Sequence, residues 1–349
     1  MSRLPPLQPH YVIRAVRADD YAGFLDMRAL AGPGFTSLML DDKKLAARIA
    51  HSEASFAARP GQPGSERYVL ALEHLESASL AGTAALKATV GAEPPFFNFR
   101  VLTIAQASHA VDRRFDMEVL ILVNEFTGCS EVGSLFLRAE HRASGIGRSL
   151  AQARYMLMAL APERFNERVV SELRGVVTPD GQSPFWDALG RHFFRMEFRE
   201  ADRLSATTDN QFILDLMPKY PIYADLLPDS ARAVIGQCHP DGVPARKLLE
   251  WEGFRYDHVV DIFEGGPLVS AARDNIRTKR EARRMKIKAN AAPSAPRAAL
   301  IATGAFQDFR CVSVLAELAD GAVNAHPDAL RALQVEEGAE ILAWVGDAA

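Results

Sequence analysis

Between residues 67 and 160 the chain strings together four strand-like runs, then a strand, a two-glycine turn and a long apolar-periodic segment. The runs are "RYVLALE" (67–73), "LAGTAALKATVG" (80–91), "FFNFRVLTIAQAS" (96–108) and "MEVLILV" (117–123). Short strands in direct succession, closed by strand–turn–helix, favour mixed pairing over an all-parallel sheet. The expected class is α+β, a mixed and mostly antiparallel sheet flanked by helices. Other segments fit that class. "YVIRAVRADDYAGFLDMRAL" predicts a strand, an acidic cap and an amphipathic helix. "ERVVSELRGVV" (167–177) and "RYDHVVDIFEGG" (255–266) predict strands, and "SPFWDALGRHFF" (183–194) predicts a helix. "VPARKLLEWEGF" (243–254) has Pro near its start and Gly just past its end, the usual helix asymmetry.

The turn itself, "LFLRAEHRASGIGRSLAQARYMLMAL" (135–160), carries chemistry. Gly145 and Gly147 allow backbone angles and close approach that a Cβ would forbid. A helix starting near residue 147 offers unpaired N–H groups and a partial positive charge to an anion. Arg142 and Arg148 add formal charge at the rim. The spacing is not a Walker A loop, since no Lys-Ser/Thr follows the second glycine, nor a dinucleotide fingerprint. Strand–RxxGxG–long helix resembles the acyl-CoA-binding motif of the GNAT acyltransferases, with "ARKLLEWEGFRY" (245–256) or "FWDALGRHFFRMEF" (185–198) as the second motif beside the cofactor.

Longer blocks resemble one family in particular. "GFTSLMLD" with "LAARIAHSEASFA" (34–57), "FFNFRVLTIAQAS" (96–108), "NEFTGCSEVGSLFL" (124–137), "ERVVSELRGVVTPDGQSPFWDALGRHFF" (167–194), "LMPKYPIYADLLPDSARAVIGQCHPDG" (216–242) and "GFRYDHVVDIFEGGP" (253–267) are similar to the arginine N-succinyltransferases. The similarity runs from about residue 11 to 270 and more loosely beyond. It implies a GNAT-like domain over 1–270 with an insertion at about 199–230. It also implies transfer of the succinyl group of succinyl-CoA to the α-amino group of L-arginine, in arginine catabolism. Succinyl-CoA would be a co-substrate, with no permanently bound cofactor. Alternatives are ornithine or another basic amino acid as acceptor, or a non-catalytic homologous subunit of a paired enzyme. The resemblance implies His239 as proton donor and Leu135 as a succinyl-CoA contact. Leu137, Arg142, Gly145, Ile146, Gly147 and Arg148 complete the expected CoA loop.

Charge complementarity names further candidates. A succinyl carboxylate calls for an arginine, and Arg100 and Arg174 lie in family-like blocks. The arginine guanidinium calls for carboxylates, and Glu125, Glu131 and Glu172 are candidates. Cys238 beside His239 could suggest a Cys–His couple, but neighbours in sequence rarely point at one another. His192 and His141 are further histidines to consider, the latter as a solvated turn residue.

The tail reads differently. "IRTKREARRMKIK" (276–288) packs seven Lys or Arg into thirteen residues and suggests a helix end, running into a linker within 271–299. Residues 300–349 suggest a small β-rich appendage. A net charge of −4 argues against nucleic acid as the main partner. Three scattered cysteines suggest neither a disulfide framework nor a metal site. The prolines in "MSRLPPLQPHYVIRAV" and the lack of a long apolar run suggest a cytoplasmic chain with no membrane segment. Assembly is expected, as a homo-oligomer or with a homologous chain.

Overall fold

A computed structural model describes residues 5–31, 38–91, 95–207 and 211–346. Residues 34–37, which open one of the family-like blocks, lie outside them. The chain is α+β, and it divides into two compact units, neither of them one stretch of sequence.

The first unit comprises Met1–Ala88, Val132–Glu167 and Ala272–Ala349. Its strands Tyr11–Ala15, Arg67–His74 and Ser79–Lys87 pair antiparallel in order, and the end of Ser130–Leu137 lies beside the third. Helices Tyr21–Leu30 and Asp42–Ala57 bury Phe24, Met27, Leu45 and Ile49 against Val69, Ala71 and Ala85. Each such side chain removed from water contributes roughly 1.5–3 kcal/mol. Helix Ile146–Leu160 is buried on nearly every side, which its apolar run requires.

The tail of this unit closes on itself. Strands Arg297–Thr303, Glu340–Val345, Arg283–Ala289, Ala322–Ala325 and Arg310–Ala319 pair in that order, and the last pairs back to the first. Helix Pro327–Leu333 packs Leu330 and Leu333 into their core with Ile301, Val312 and Ile341. The basic run therefore behaves differently from the expected helix end and linker. Only Arg277–Glu281 is helical, and "RRMKIKA" is a strand paired on both sides. Its alternation explains this: Met285 and Ile287 meet the core while the Lys and Arg between them stay in water. Cys311 and Arg310 also pair with Ile13 and Arg14 of the first strand, so the tail supplies that strand's second neighbour.

The second unit comprises Thr89–Glu131 and Arg168–Ala271. Its strands run in the order Ser130–Glu131, Arg168–Glu172, Pro267–Ala271, Arg255–Asp261, Asn98–Ser108, Arg113–Val123 and Ile222–Tyr223. One face packs Phe99, Val101, Leu120 and Val260 against Phe185, Trp186, Phe194 and Phe198. The segment expected to be one helix over 183–194 is two, Pro184–Ala188 and Gly190–Phe194. A Cβ on Gly190 would lie 2.3 Å from the Trp186 ring, so the indole occupies the space that a larger residue would need. The opposite face carries a smaller cluster of Val90, Phe126, Val170, Val259 and Leu268.

Candidate functional site

In its Val132–Leu137 part, which belongs to the first unit, the Ser130–Leu137 strand breaks its own pleat before it ends. Ser134 adopts φ +52°, the left-handed region that a side chain rarely tolerates. Leu135 follows directly. After Leu137 the chain makes a tight helical turn, Ala139–Ser144, and Gly145 takes φ +75° before Ile146 starts the long helix. The glycine is required there because it reverses the chain's direction at a positive φ. Gly147 lies in the first helical turn, where an added Cβ would sit 3.4 Å from Leu137 Cδ2. Arg142 folds back, its Nε donating to the Leu137 carbonyl at 3.1 Å. The Arg148 guanidinium lies 6.0 Å over the Trp344 ring, so a tail residue borders the loop.

His141 departs from the solvated turn expected of it. It is half-buried, bonds the Tyr11 hydroxyl through Nδ1 at 2.8 Å and packs edge-on against the Tyr11 ring. Burial pushes its imidazole below the usual histidine range. His192 is exposed.

In the second unit, His239 is the N-cap of a short turn, Pro240–Gly242. Its backbone N–H donates to the Arg174 carbonyl at 2.8 Å. The ring's Nδ1 accepts from the Asp241 N–H at 3.2 Å and lies 3.6 Å from Asp241 Oδ2. Both Asp241 groups therefore address Nδ1, which leaves Nε2 to carry the exchangeable proton. The Cys238 thiol turns to the His239 carbonyl oxygen rather than the ring, and burial pushes its pKa up. That environment holds it as a thiol, so no Cys–His nucleophile is assembled.

The backbone that seats His239 is tied to the turn 261–266, where the strand expected over 255–266 ends at Asp261. Glu264 accepts from the Gly175 N–H at 2.7 Å and lies 3.4 Å from Arg174 Nε. The Gly236 N–H donates to the Gly265 carbonyl at 2.8 Å. A Cβ on Gly266 would meet the Leu173 carbonyl at 2.3 Å, so only glycine permits this approach. Asp261 anchors the turn by accepting from the amides of Phe263, Glu264 and Gly266. Burial first, and then the charge of Asp261, push Glu264 up to about 8. Burial pushes Asp261 up to about 6 despite its three amide donors, and raises Asp202 as well. The one signal in the sequence was a pair of carboxylates, Asp261 and Glu264, just before a Gly-Gly pair.

The remaining candidates gather on the smaller-cluster face of this unit. Glu131 pairs in register with Val170, and Glu172 is two residues on, so both point the same way. Arg100 pairs with Val259 on that face. It does not stand open for a carboxylate, because Glu125 holds it through two bonds, Nε–Oε2 at 3.1 Å and Nη2–Oε1 at 2.5 Å. Two side chains expected to meet different substrates thus meet each other. Asn98, two residues before Arg100, is 1% exposed, and neither atom of its amide has a partner among the described residues.

Comparison with known proteins adds an independent line. The family described as arginine N-succinyltransferase beta subunit matches residues 11–278, and its C-terminal domain matches 283–344. An arginine N-succinyltransferase of Enterobacter sp. (strain 638) is 41% identical over 305 residues, covering 87% of this chain and 88% of its own length. One from Salmonella newport (strain SL254) is 40% identical over 307 residues, covering 88% and 89%. The solved structure of arginine/ornithine succinyltransferase subunit AI from Pseudomonas aeruginosa matches with a TM-score of 0.86 at 34% identity. That match covers 97% of this chain and 100% of the other.

Proposed function

The chain belongs to the arginine N-succinyltransferase beta-subunit family, and we propose that its succinyl donor is succinyl-CoA and its acceptor atom the α-amino nitrogen of L-arginine. It is an arginine N-succinyltransferase, acting in arginine catabolism. The products on this reading are N2-succinyl-L-arginine and CoA, and the fold is GNAT-like. The observation that carries the chemistry is the His239 turn, which occupies Nδ1 and keeps Nε2 for the reacting atoms.

Three tasks follow from attack of an amine on a thioester. The CoA pyrophosphate binds the backbone amides of 142–147, where the left-handed Gly145 turns them toward the start of the Ile146–Leu160 helix. Arg148 borders that loop. The succinyl carbonyl lies along Leu135 and Leu137, and a backbone N–H of this strand supports the oxyanion. The pleat broken at Ser134 supports that role. The α-ammonium loses one proton to solvent, its nitrogen bonds the carbonyl carbon and sheds a second proton to solvent, and the C–S bond breaks as the amide forms. When the ring takes up a proton at Nδ1, that nitrogen exchanges the Asp241 N–H for the Asp241 carboxylate 3.6 Å away, and the ring then donates its Nε2 proton to the departing sulfur.

Glu131 and Glu172 are the carboxylates for the substrate guanidinium, and Arg174 is a candidate for the succinyl carboxylate. The orphaned Asn98 amide on the same face supports a polar substrate group being received there, since an unmatched buried amide costs about 1–3 kcal/mol. Arg100 and Glu125 serve as a pair that fixes this face. The chain assembles with a second copy or with a homologous chain. Among the described residues no helix is long and apolar enough to cross a membrane.

Ornithine is a second acceptor worth testing, because the solved relative is an arginine/ornithine succinyltransferase subunit. Thiol release with succinyl-CoA or acetyl-CoA, against arginine or ornithine, separates the readings. Succinyl-CoA with arginine is expected to give the highest kcat/KM. A preference for ornithine overturns the acceptor, and a preference for acetyl-CoA overturns the donor.

A further inference from the structure

The hairpin Asn98–Ser108 and Arg113–Val123 is longer than the unit that carries it. Its register is unbroken from Asn98 opposite Val123 to Ser108 opposite Arg113. Beyond Val101 and Val119 its residues leave the core, and Leu102, Ile104 and Phe115 are 39%, 37% and 50% exposed. The exposed half is amphipathic. Leu102 and Val119, Ile104 and Met117, and Gln106 and Phe115 share one face. Thr103 and Glu118, Ala105 and Asp116, and Ala107 and Arg114 share the other. A two-stranded ribbon with one apolar face is marginal in water without something against it.

Among the described residues, its outer edge carries no strand beyond Ile222–Tyr223 and the turn Ala224–Leu226 that follows it along the edge. Strand Ile222–Tyr223 pairs only with Leu120 and Val119, so Arg113–Glu118 has ladder partners on one side alone. Such an edge invites another strand. The sequence along it, "RRFDME", complements itself when read antiparallel. With Phe115 opposite Phe115, Arg114 falls opposite Asp116 twice, and Arg113 lays its stem along Met117. Arg114 is also diagonal to Glu118. Arg113, Arg114 and Asp116 have no ion pair or side-chain hydrogen bond of their own among the described residues.

We propose that this hairpin edge is where two copies of the chain associate, strand to strand about a two-fold axis through Phe115. The inference rests on the assembly part of the reading above and is independent of its chemistry. An isologous contact of this kind closes on itself, as symmetry requires of a dimer.

Sedimentation or light scattering of the full chain tests it. The 38.2 kDa chain is expected at twice its mass or an even multiple. Arg114→Asp alone faces Asp116 with like charge and halves the assembly, and Asp116→Arg alone does the same. An equimolar mixture of the two variants restores opposite charges at both positions and regains the wild-type mass. Phe115→Asp halves it irreversibly. Circular dichroism serves as the control, since these side chains lie outside the core and the fold is expected to persist. A wild-type chain at single mass overturns both the proposal and the assembly reading. A wild-type assembly that ignores the single substitutions, or a mixture that stays apart, overturns this surface alone.

Discussion

At the scale of single residues, the account turns on what holds His239. Its ring is addressed at Nδ1 by Asp241, and its backbone hangs from the Arg174 carbonyl. His239→Ala is expected to lower kcat by roughly 10²–10⁴-fold, the usual size of proton-transfer catalysis. Affinity for succinyl-CoA should change little, and isothermal titration alongside turnover checks both; an equally active variant removes His239 from the chemistry. Glu264 gives a pH prediction. Its carboxyl is raised from 4.5 to about 8 in the fold, so folding favours its neutral form. The stability this contributes is fully present below about 4.5 and is lost as pH rises through about 8. Glu264→Gln fixes a neutral group, so wild type should lose melting temperature relative to the variant across that window. Parallel curves would contradict it. Neither feature was fully legible. The family resemblance pointed at His239, whereas Glu264 and Asp261 act through burial and backbone amides, which no residue pattern records.

Elements show where local pattern sufficed. The strand–turn–helix around Gly145 was readable because a run of Leu and Phe stops at a charged two-glycine turn and an apolar-periodic run begins at once. Such turns are common, and the resemblance, not the spacing, marked this one as a CoA loop. The two glycines are not equivalent, however, and only the backbone reveals it. Gly145 needs φ +75°, while Gly147 sits in the first turn of a helix with 3.4 Å to Leu137. Gly145→Val should therefore weaken succinyl-CoA binding more than Gly147→Val, since a side chain in the left-handed region costs roughly 1–2 kcal/mol. Fluorescence or calorimetric titration would measure the order, and the reverse order would contradict the loop geometry. The basic run misled for the opposite reason. Seven cations suggested a solvated helix end, yet the two apolar residues among them set the period of a strand. Arg100 and Glu125 pair with each other, a partnership that charge complementarity alone does not distinguish from one with a ligand.

For the whole molecule, the α+β class was legible from the run of strands, while the grouping of segments was not. Pairing between Cys311 and Ile13 links residues nearly three hundred positions apart, and long-range pairing leaves no local trace. The consequence is testable. A chain ending at residue 278 leaves the Tyr11–Ala15 strand without one of its neighbours and exposes Val12. It should lose cooperative unfolding or precipitate, as read by differential scanning calorimetry. A soluble, cooperatively melting truncation would show that the tail is dispensable. The reaction itself is tested most directly by the identity of its product. Incubated with succinyl-CoA and arginine labelled with nitrogen-15 at the α position, the protein should form an amide whose labelled nitrogen bears the succinyl group by NMR. A succinyl group on the guanidinium, or no product, would contradict the account.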